Sequence, residues 1–131
     1  MSEYLDKIEK PWGHEIIWAK SCSETGYVGK ILFIKAGHRL SLQYHEEKEE
    51  TIFVKSGTLY IETVGEIGEN ESKADILNND RKTIRLCEGE TFHVSPFMTH
   101  RFIANECNVE LIEVSTKQLD DVVRVEDDYG R

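Results

Sequence analysis

Apolar and polar residues alternate along many short segments of this chain, and no segment shows the spacing of a long amphipathic helix. Tyr27–Lys35, for example, is rich in β-branched and aromatic residues, which favours a strand. Turn sequences such as Ser56-Gly57 separate such segments at intervals of roughly 8–12 residues, and this pattern predicts an all-β sandwich or barrel. The predicted strands are Ile16–Trp18, Tyr27–Lys35, Leu40–Tyr44, Thr51–Lys55, Thr58–Val64, Ile84–Leu86, Thr91–Val94, Thr99–Ala104 and Val109–Ser115.

Three segments fall outside the strand pattern. Residues 1–10 are interpreted as a loose or helical lead-in, and residues 65–82 as a long surface loop because they show no usable periodicity. The acidic residues 118–131 predict one short helix or strand. No repeat, low-complexity segment or linker divides the 131 residues, so we expect one domain over residues 1–131.

Composition narrows the class of protein. The chain is 39% hydrophobic and 31% charged, and it has no apolar run near the ~20 residues that span a bilayer. Its first ten residues are too polar for a secretory signal, and Cys22, Cys87 and Cys107 are scattered singly, as in a reducing compartment. We therefore expect a cytoplasmic protein without a membrane partner. The net charge of −9 argues against nucleic acid as a partner.

Candidate chemistry lies between residues 37 and 57. Gln43 and His45 are two apart on a predicted strand, so their side chains point to the same face. Glu50 opens the next strand after a polar turn. An amide, an imidazole and a carboxylate are ligand types for a divalent metal. From the strand pattern alone, a merely solvated polar face is an equal alternative.

The same alternation places neighbouring side chains. Arg39 and Ser41 are predicted on the face of Gln43, pointing into the barrel, whereas Leu40 and Leu42 are predicted to point outwards. The outward leucines then need cover from another layer or a second subunit.

Two segments resemble the paired motifs of the cupin superfamily: GHRLSLQYHEEKEETIFVKSG at residues 37–57, and GETFHVSPFMTHRFIAN at residues 89–105. The resemblance implies a double-stranded β-helix (jelly-roll) barrel. It also implies a divalent metal held by Gln43, His45, Glu50 and His100, with zinc as the first choice and manganese, cobalt, nickel or iron as alternatives.

The likeness extends over residues 10–131. KPWGHE, AGHRLSLQYH, LIEV and VVRVEDDYGR are similar to the isomerase domain of type II mannose-6-phosphate isomerases, which is often fused behind a mannose-1-phosphate guanylyltransferase. The resemblance implies a metal-dependent aldose–ketose isomerase that acts on a sugar or sugar phosphate in mannose or surface-polysaccharide metabolism. It also implies a homodimer.

Individual roles follow from the same resemblance and leave alternatives open. Arg39 is assigned to the substrate's phosphate or enediolate, with an ion pair to one of the acids as the alternative. Lys48 stands where the family has an arginine and is assigned to substrate binding, with a solvated turn lysine as the alternative. By the alternation of the strand rather than by the resemblance, Arg101 faces away from His100 and is expected to form a structural ion pair. The general base is open, with Glu47 and Glu49 among the candidates.

Two further functions remain open at this point. Glu46, Glu47 and Lys48 replace a histidine-rich turn of the family and remove positive charge from the rim of the site. This favours a non-catalytic or regulatory cupin that binds a carbohydrate or a nucleotide sugar. Two histidines and one carboxylate also suit a non-haem iron dioxygenase, although Gln43 at a further ligand position argues against it.

Overall fold

Short strands carry the fold of this chain. The computed structural model describes residues 6–64 and 72–131. The elements in these ranges are Asp6–Lys10 (β1), Gly13–Lys20 (β2), Val28–Ile34 (β3), His38–Arg39 (β4), Leu42–Tyr44 (β5), Glu50–Ser56 (β6), Leu59–Val64 (β7), Lys73–Asn78 (α1), Arg81–Leu86 (β8), Thr91–Val94 (β9), His100–Ala104 (β10), Val109–Ser115 (β11) and Val123–Glu126 (β12). Among these residues, no helix is both long and apolar enough to cross a membrane.

The strands form two antiparallel sheets of six strands each. One has the order β1-β2-β3-β11-β6-β9, and the other has the order β12-β5-β10-β7-β8 with β4 also paired to β10. Alternate side chains of both sheets meet in one apolar core, to which Ile52 and Leu111 contribute from the first sheet and Ile61 and Phe102 from the second. Trp12 is buried in this core.

The lead-in predicted for residues 1–10 is wrong where the structure describes it. Asp6–Lys10 is a strand whose register with β2 runs from Asp6 opposite Ile17 to Lys10 opposite Gly13. The turn at residues 11–12 reverses the chain directly, so β1 gains a complete ladder of pairing partners. Residues 1–5 lie outside the described residues.

The surface loop predicted for residues 65–82 is also corrected. Ser72 caps a helix at Lys73–Asn78: its hydroxyl accepts the Asp75 N–H, and the Asp75 carboxylate accepts the Ser72 N–H. Ile76 is the buried residue of this helix and packs with Leu42 and Val64. The chain's own helix therefore covers Leu42, for which the sequence pattern required another layer or subunit. Residues 65–71 lie outside the described residues.

A bulge between β4 and β5 changes which side chains point inwards. Arg39 lies opposite Ile103 and Gln43 lies opposite His100, so β10 has one residue fewer over the same length. The extra residue reverses the alternation between Arg39 and Gln43. Leu40 consequently packs on the core, and Arg39 does not share the inner face with Gln43.

The buried Arg101 stabilises this bulge. Its Nε–H donates to the Leu40 carbonyl at 2.9 Å, and its Nη1 lies 2.6 Å from the Glu126 carboxylate of β12. The predicted structural ion pair of Arg101 is confirmed, and it attaches the C-terminal strand to the bulge.

The helix gives a first test of the fold. Ile76→Ala removes a buried side chain from the contact of α1 with Leu42, so we expect a loss of about 2–4 kcal/mol in the free energy of unfolding. Urea denaturation followed by circular dichroism measures it. Leu77→Ala is the matched control, because Leu77 is 40% exposed on the same helix and should change stability by no more than about 0.5 kcal/mol. Equal effects of the two substitutions would contradict the packing described.

Candidate metal centre

Both sheets contribute to a cluster of polar side chains inside the barrel. His100 is the first residue of β10 and lies directly opposite Gln43 of β5. His45 follows β5 at once, and Glu50 is the first residue of β6 in the other sheet. The turn at residues 46–49 joins β5 to β6, and so it carries the chain from one sheet to the other beside the cluster.

His45, Glu50 and His100 converge at one point. Ligand atoms of the three side chains all lie within 4.8 Å of one another. Glu50 Oε1 is 3.3 Å from His100 Nε2 and 3.7 Å from His45 Nε2. The three residues are 2%, 3% and 1% exposed, in the order of the chain. The sequence prediction that these distant segments meet is therefore confirmed.

Main-chain carbonyls orient both imidazoles. His45 Nδ1 lies 2.6 Å from the Asp121 carbonyl oxygen, and His100 Nδ1 lies 2.9 Å from that of Met98. Each Nδ1 must carry a hydrogen to donate, which in a neutral imidazole leaves a lone pair on Nε2. Both Nε2 atoms face the Glu50 carboxylate, and His45 Nε2 is buried without a hydrogen-bond partner. Two lone pairs and a carboxylate oxygen so placed fit a divalent cation.

Gln43 lines the same cavity. Its Oε1 accepts a hydrogen bond from Ser41 Oγ at 2.6 Å, which orients the amide and leaves Oε1 a second lone pair. The residue is thus placed beside His100, where the resemblance implies a fourth ligand.

Asp121 holds the turn that separates His45 from Glu50. Its carboxylate accepts the backbone N–H groups of Glu46, Glu47 and Lys48 at 3.0, 2.7 and 2.8 Å. Burial opposes ionisation of Asp121, but these N–H donors outweigh it and lower the pKa of the carboxyl. One residue therefore fixes the turn with its side chain and His45 with its carbonyl.

A cavity of about 360 Å³ opens beside the cluster. Acidic and basic residues alternate along its wall: Lys30 Nζ lies 3.5 Å from Glu15, and Lys48 Nζ lies 3.2 Å from Glu50 and 3.5 Å from Glu113. The charged residues that line the cavity are Lys10, Glu15, Lys30, Lys48, Glu50, Glu113, Asp120, Asp121, Arg124 and Arg131.

The two buried carboxyls that share Lys48 have opposite pKa shifts. Burial disfavours ionisation of Glu50, but the neighbouring imidazoles of His100 and His45 and the charge of Lys48 outweigh it, so the pKa of Glu50 lies well below its usual range. Burial and then repulsion by Glu50 raise the pKa of Glu113 to about 8, against the attraction of Lys48 and Lys30. Burial lowers the pKa of Lys48, but Glu113 and Glu50 outweigh it and raise the pKa. Of the two carboxyls, Glu50 therefore releases its proton more readily than Glu113.

Of the other site residues that the sequence predicts, some line the cavity and others lie outside it. Arg39 does not line the cavity; its guanidinium makes a two-pronged pair with Asp128 at 2.6 and 2.8 Å. The inward placement of Arg39 near the metal is therefore wrong, because the bulge turns it away. Lys48 does line the cavity, and its burial excludes the solvated alternative. Glu47 and Glu49 are exposed and do not line it.

Glu113 and Arg124 are among the residues of the cavity wall that sequence reasoning missed. Glu113 belongs to the LIEV segment, where its inward direction follows from the buried Leu111 two positions earlier. Arg124 lies between Val123 and Val125 on β12, and this apolar–polar alternation within the acidic tail was the signal that could have found it.

The raised pKa of Glu113 gives a prediction for metal-free protein. Because the folded-state pKa of about 8 exceeds the usual ~4.3 of a glutamate, the folded state binds more protons between about pH 5 and 8. Stability should therefore fall as pH rises through this window, by up to about 1.4 kcal/mol per pH unit for one proton. Glu113→Gln cannot titrate and should flatten the profile. Urea denaturation with chelator at pH 5–9 measures both proteins, and parallel profiles would contradict the assignment.

The sequence is similar to a sugar-isomerase family and to proteins of polysaccharide biosynthesis. The family model for D-lyxose isomerase matches residues 17–125. The xanthan biosynthesis protein XanB of Xanthomonas campestris pv. campestris is 30% identical over 95% of this chain and 24% of its own length. The alginate biosynthesis protein AlgA of Pseudomonas aeruginosa is 33% identical over 95% of this chain and 23% of its own length. The chain thus spans about a quarter of the length of these curated relatives.

Solved structures confirm the fold expected from the two motifs. The capsular polysaccharide assembling protein CapF of Staphylococcus aureus superposes with a TM-score of 0.74 at 16% identity, over 95% of this chain and 33% of that one. A cupin-2 domain of Rhodospirillum rubrum superposes with a TM-score of 0.65 at 9% identity, over 85% of this chain and 64% of that one. The two sheets are therefore those of a cupin jelly-roll barrel, and the chain belongs to the D-lyxose isomerase family.

Proposed function

We propose that this chain is a metal-dependent aldose–ketose isomerase that acts on a sugar phosphate of the mannose-6-phosphate type. One observation carries the proposal: two buried imidazoles turn their Nε2 atoms onto a buried carboxylate beside a polar cavity, in a chain of a sugar-isomerase family. Relatives named for xanthan and alginate biosynthesis support a role in mannose or surface-polysaccharide metabolism.

In this proposal His45, Glu50 and His100 hold the metal, with Gln43 as the fourth ligand. Zinc is the first choice, and manganese, cobalt, nickel and iron accept the same donor set. A bound divalent ion supplies Lewis-acid stabilisation of the oxyanion that develops during isomerisation. Four protein ligands on an ion that takes five or six leave a position for substrate or water.

Isomerisation requires a group that takes the proton from C2 and delivers a proton to C1. We assign this transfer to Glu113, which lines the cavity and whose pKa of about 8 suits proton exchange near neutral pH. Lys48 lines the cavity and lies 3.2 Å from Glu50 and 3.5 Å from Glu113, and we assign its ammonium group to binding a substrate hydroxyl. Arg39 takes no part, because it lies outside the cavity.

Metal content tests the ligand assignment. We expect His45→Ala to lower affinity for zinc at least as much as the roughly 10–100-fold found when a second-shell partner is lost. His93→Ala is the matched control, because His93 is exposed and its imidazole lies against Thr51 and Glu49. Elemental analysis after dialysis against dilute zinc measures both. Equal metal in the two variants would overturn the assignment.

Turnover tests the function. Metal-loaded protein should convert mannose 6-phosphate into fructose 6-phosphate, and Glu113→Gln should lower kcat by about 10²–10⁴-fold without changing metal content. Glu110→Gln is the control, since Glu110 lies on the same strand and pairs with Lys55 instead. A coupled assay for the ketose product measures the rates.

The same assays also test the two alternative functions that the sequence leaves open. Sugar binding without turnover of phosphorylated or free hexoses would instead identify a non-catalytic carbohydrate- or nucleotide-sugar-binding cupin. Oxygen uptake with ferrous iron would point to a dioxygenase. The homodimer and the cytoplasmic location stay predictions.

A further inference from the structure

Arg124 differs from every other cation of the cavity wall. Among the described residues, each of the others lies near a carboxylate: Lys10 and Lys30 near Glu15, Lys48 near Glu50 and Glu113, and Arg131 against Asp127. The Arg124 guanidinium forms no hydrogen bond or ion pair within residues 6–64 and 72–131, and its Nε is buried without a partner. A buried guanidinium nitrogen in this state lacks the partner that protein interiors normally provide.

The register of β12 directs Arg124 inwards. Arg124 lies opposite Gln43 of β5, whereas Val123 lies opposite Tyr44. Tyr44 and Val125 pack against the cluster of Leu42 and Ile76 on the far side of the sheet. The Arg124 side chain therefore points into the cavity beside Gln43, at the roughly 5 Å separation of cross-strand neighbours.

This position complements the metal centre. A substrate whose carbonyl end lies at the His45, Glu50 and His100 cluster would extend along a wall whose other cations are already neutralised. An anionic group elsewhere on that substrate would bind at Arg124. The planar, forked guanidinium suits the oxygens of a phosphate monoester or a carboxylate better than it suits a hydroxyl.

We propose that Arg124 is the anion-binding residue of this cavity and selects sugars that carry a phosphate or carboxylate group. This inference rests on the proposed function for the placement of the substrate. It replaces the role that the sequence assigned to Arg39.

Calorimetric binding in the presence of chelator tests the inference without turnover. The probes are mannose 6-phosphate, glucuronate and free mannose, which separate a phosphate, a carboxylate and an uncharged sugar. We expect Arg124→Gln to weaken binding of the preferred anionic sugar by about 10–100-fold and to leave binding of mannose unchanged. Arg124→Lys keeps the charge but loses the fork, so it should recover part of the affinity.

Arg85→Gln is the matched control, because Arg85 is exposed on β8 and does not line the cavity. Thermal unfolding of each variant checks folding, and Arg124→Lys keeps the test decisive if Arg124→Gln unfolds. Wild-type protein that binds free mannose as tightly as both anionic sugars would overturn the inference. So would equal binding of the anionic sugars by wild type, Arg124→Gln and Arg124→Lys.

The two proposals fail in different ways. If Arg124-dependent binding is present but metal-loaded protein never isomerises a sugar, the isomerase proposal fails and the anion site stands. If mannose 6-phosphate is isomerised with the same KM by wild type and Arg124→Gln, the isomerase stands and the anion site fails.

Discussion

A buried carboxylate that faces two imidazole lone pairs is the constraint on which the site depends. Glu50 is 3% exposed, and both histidines already use their Nδ1 hydrogens on main-chain carbonyls. Without a cation, the negative carboxylate of Glu50 would face two nitrogen lone pairs in a region of low dielectric, at a high cost in free energy. Lys48 supplies one positive charge on the far side of Glu50. The side facing His45 and His100 still requires a proton or a metal ion, which connects folding of the barrel to cation binding.

Lysines and glutamates lie side by side inside this barrel, so that each lies next to a residue of the other type. Lys30 of β3 lies opposite Glu113 of β11, and Glu113 shares Lys48 with Glu50. Such an arrangement lets a polar cavity exist beside an apolar core, because the buried lysines Lys30 and Lys48 each have a carboxyl neighbour. It also explains why the net charge of −9 says little about the cavity. The surplus acids lie elsewhere, and the wall itself is a balanced set in which a single unpaired arginine is conspicuous.

The site was predictable where local alternation is unbroken. Gln43 and His45 share a face because β5 is regular, and His100 was placed only through resemblance, since no local pattern joins residues so far apart. The predicted inward direction of Arg39 is wrong because a bulge cannot be recognised from a hydrophobic pattern. The helix at Lys73–Asn78 was missed for a different reason. Its capping residues Ser72 and Asp75 are present in the sequence, but six residues carry too little periodicity to indicate a helix.

The bulge has consequences at both ends of the second sheet. It turns Arg39 out to Asp128 and leaves the Leu40 carbonyl to accept the Arg101 Nε–H. Arg101 in turn pairs with Glu126, next to a second irregularity in the register of β12 with β5. One buried arginine therefore satisfies the backbone of the bulge and fixes the strand that carries Arg124. Because the same strand lines the cavity and supplies its unpaired cation, the shape of the cavity and the position of Arg124 depend in part on the contacts of Arg101 with Glu126.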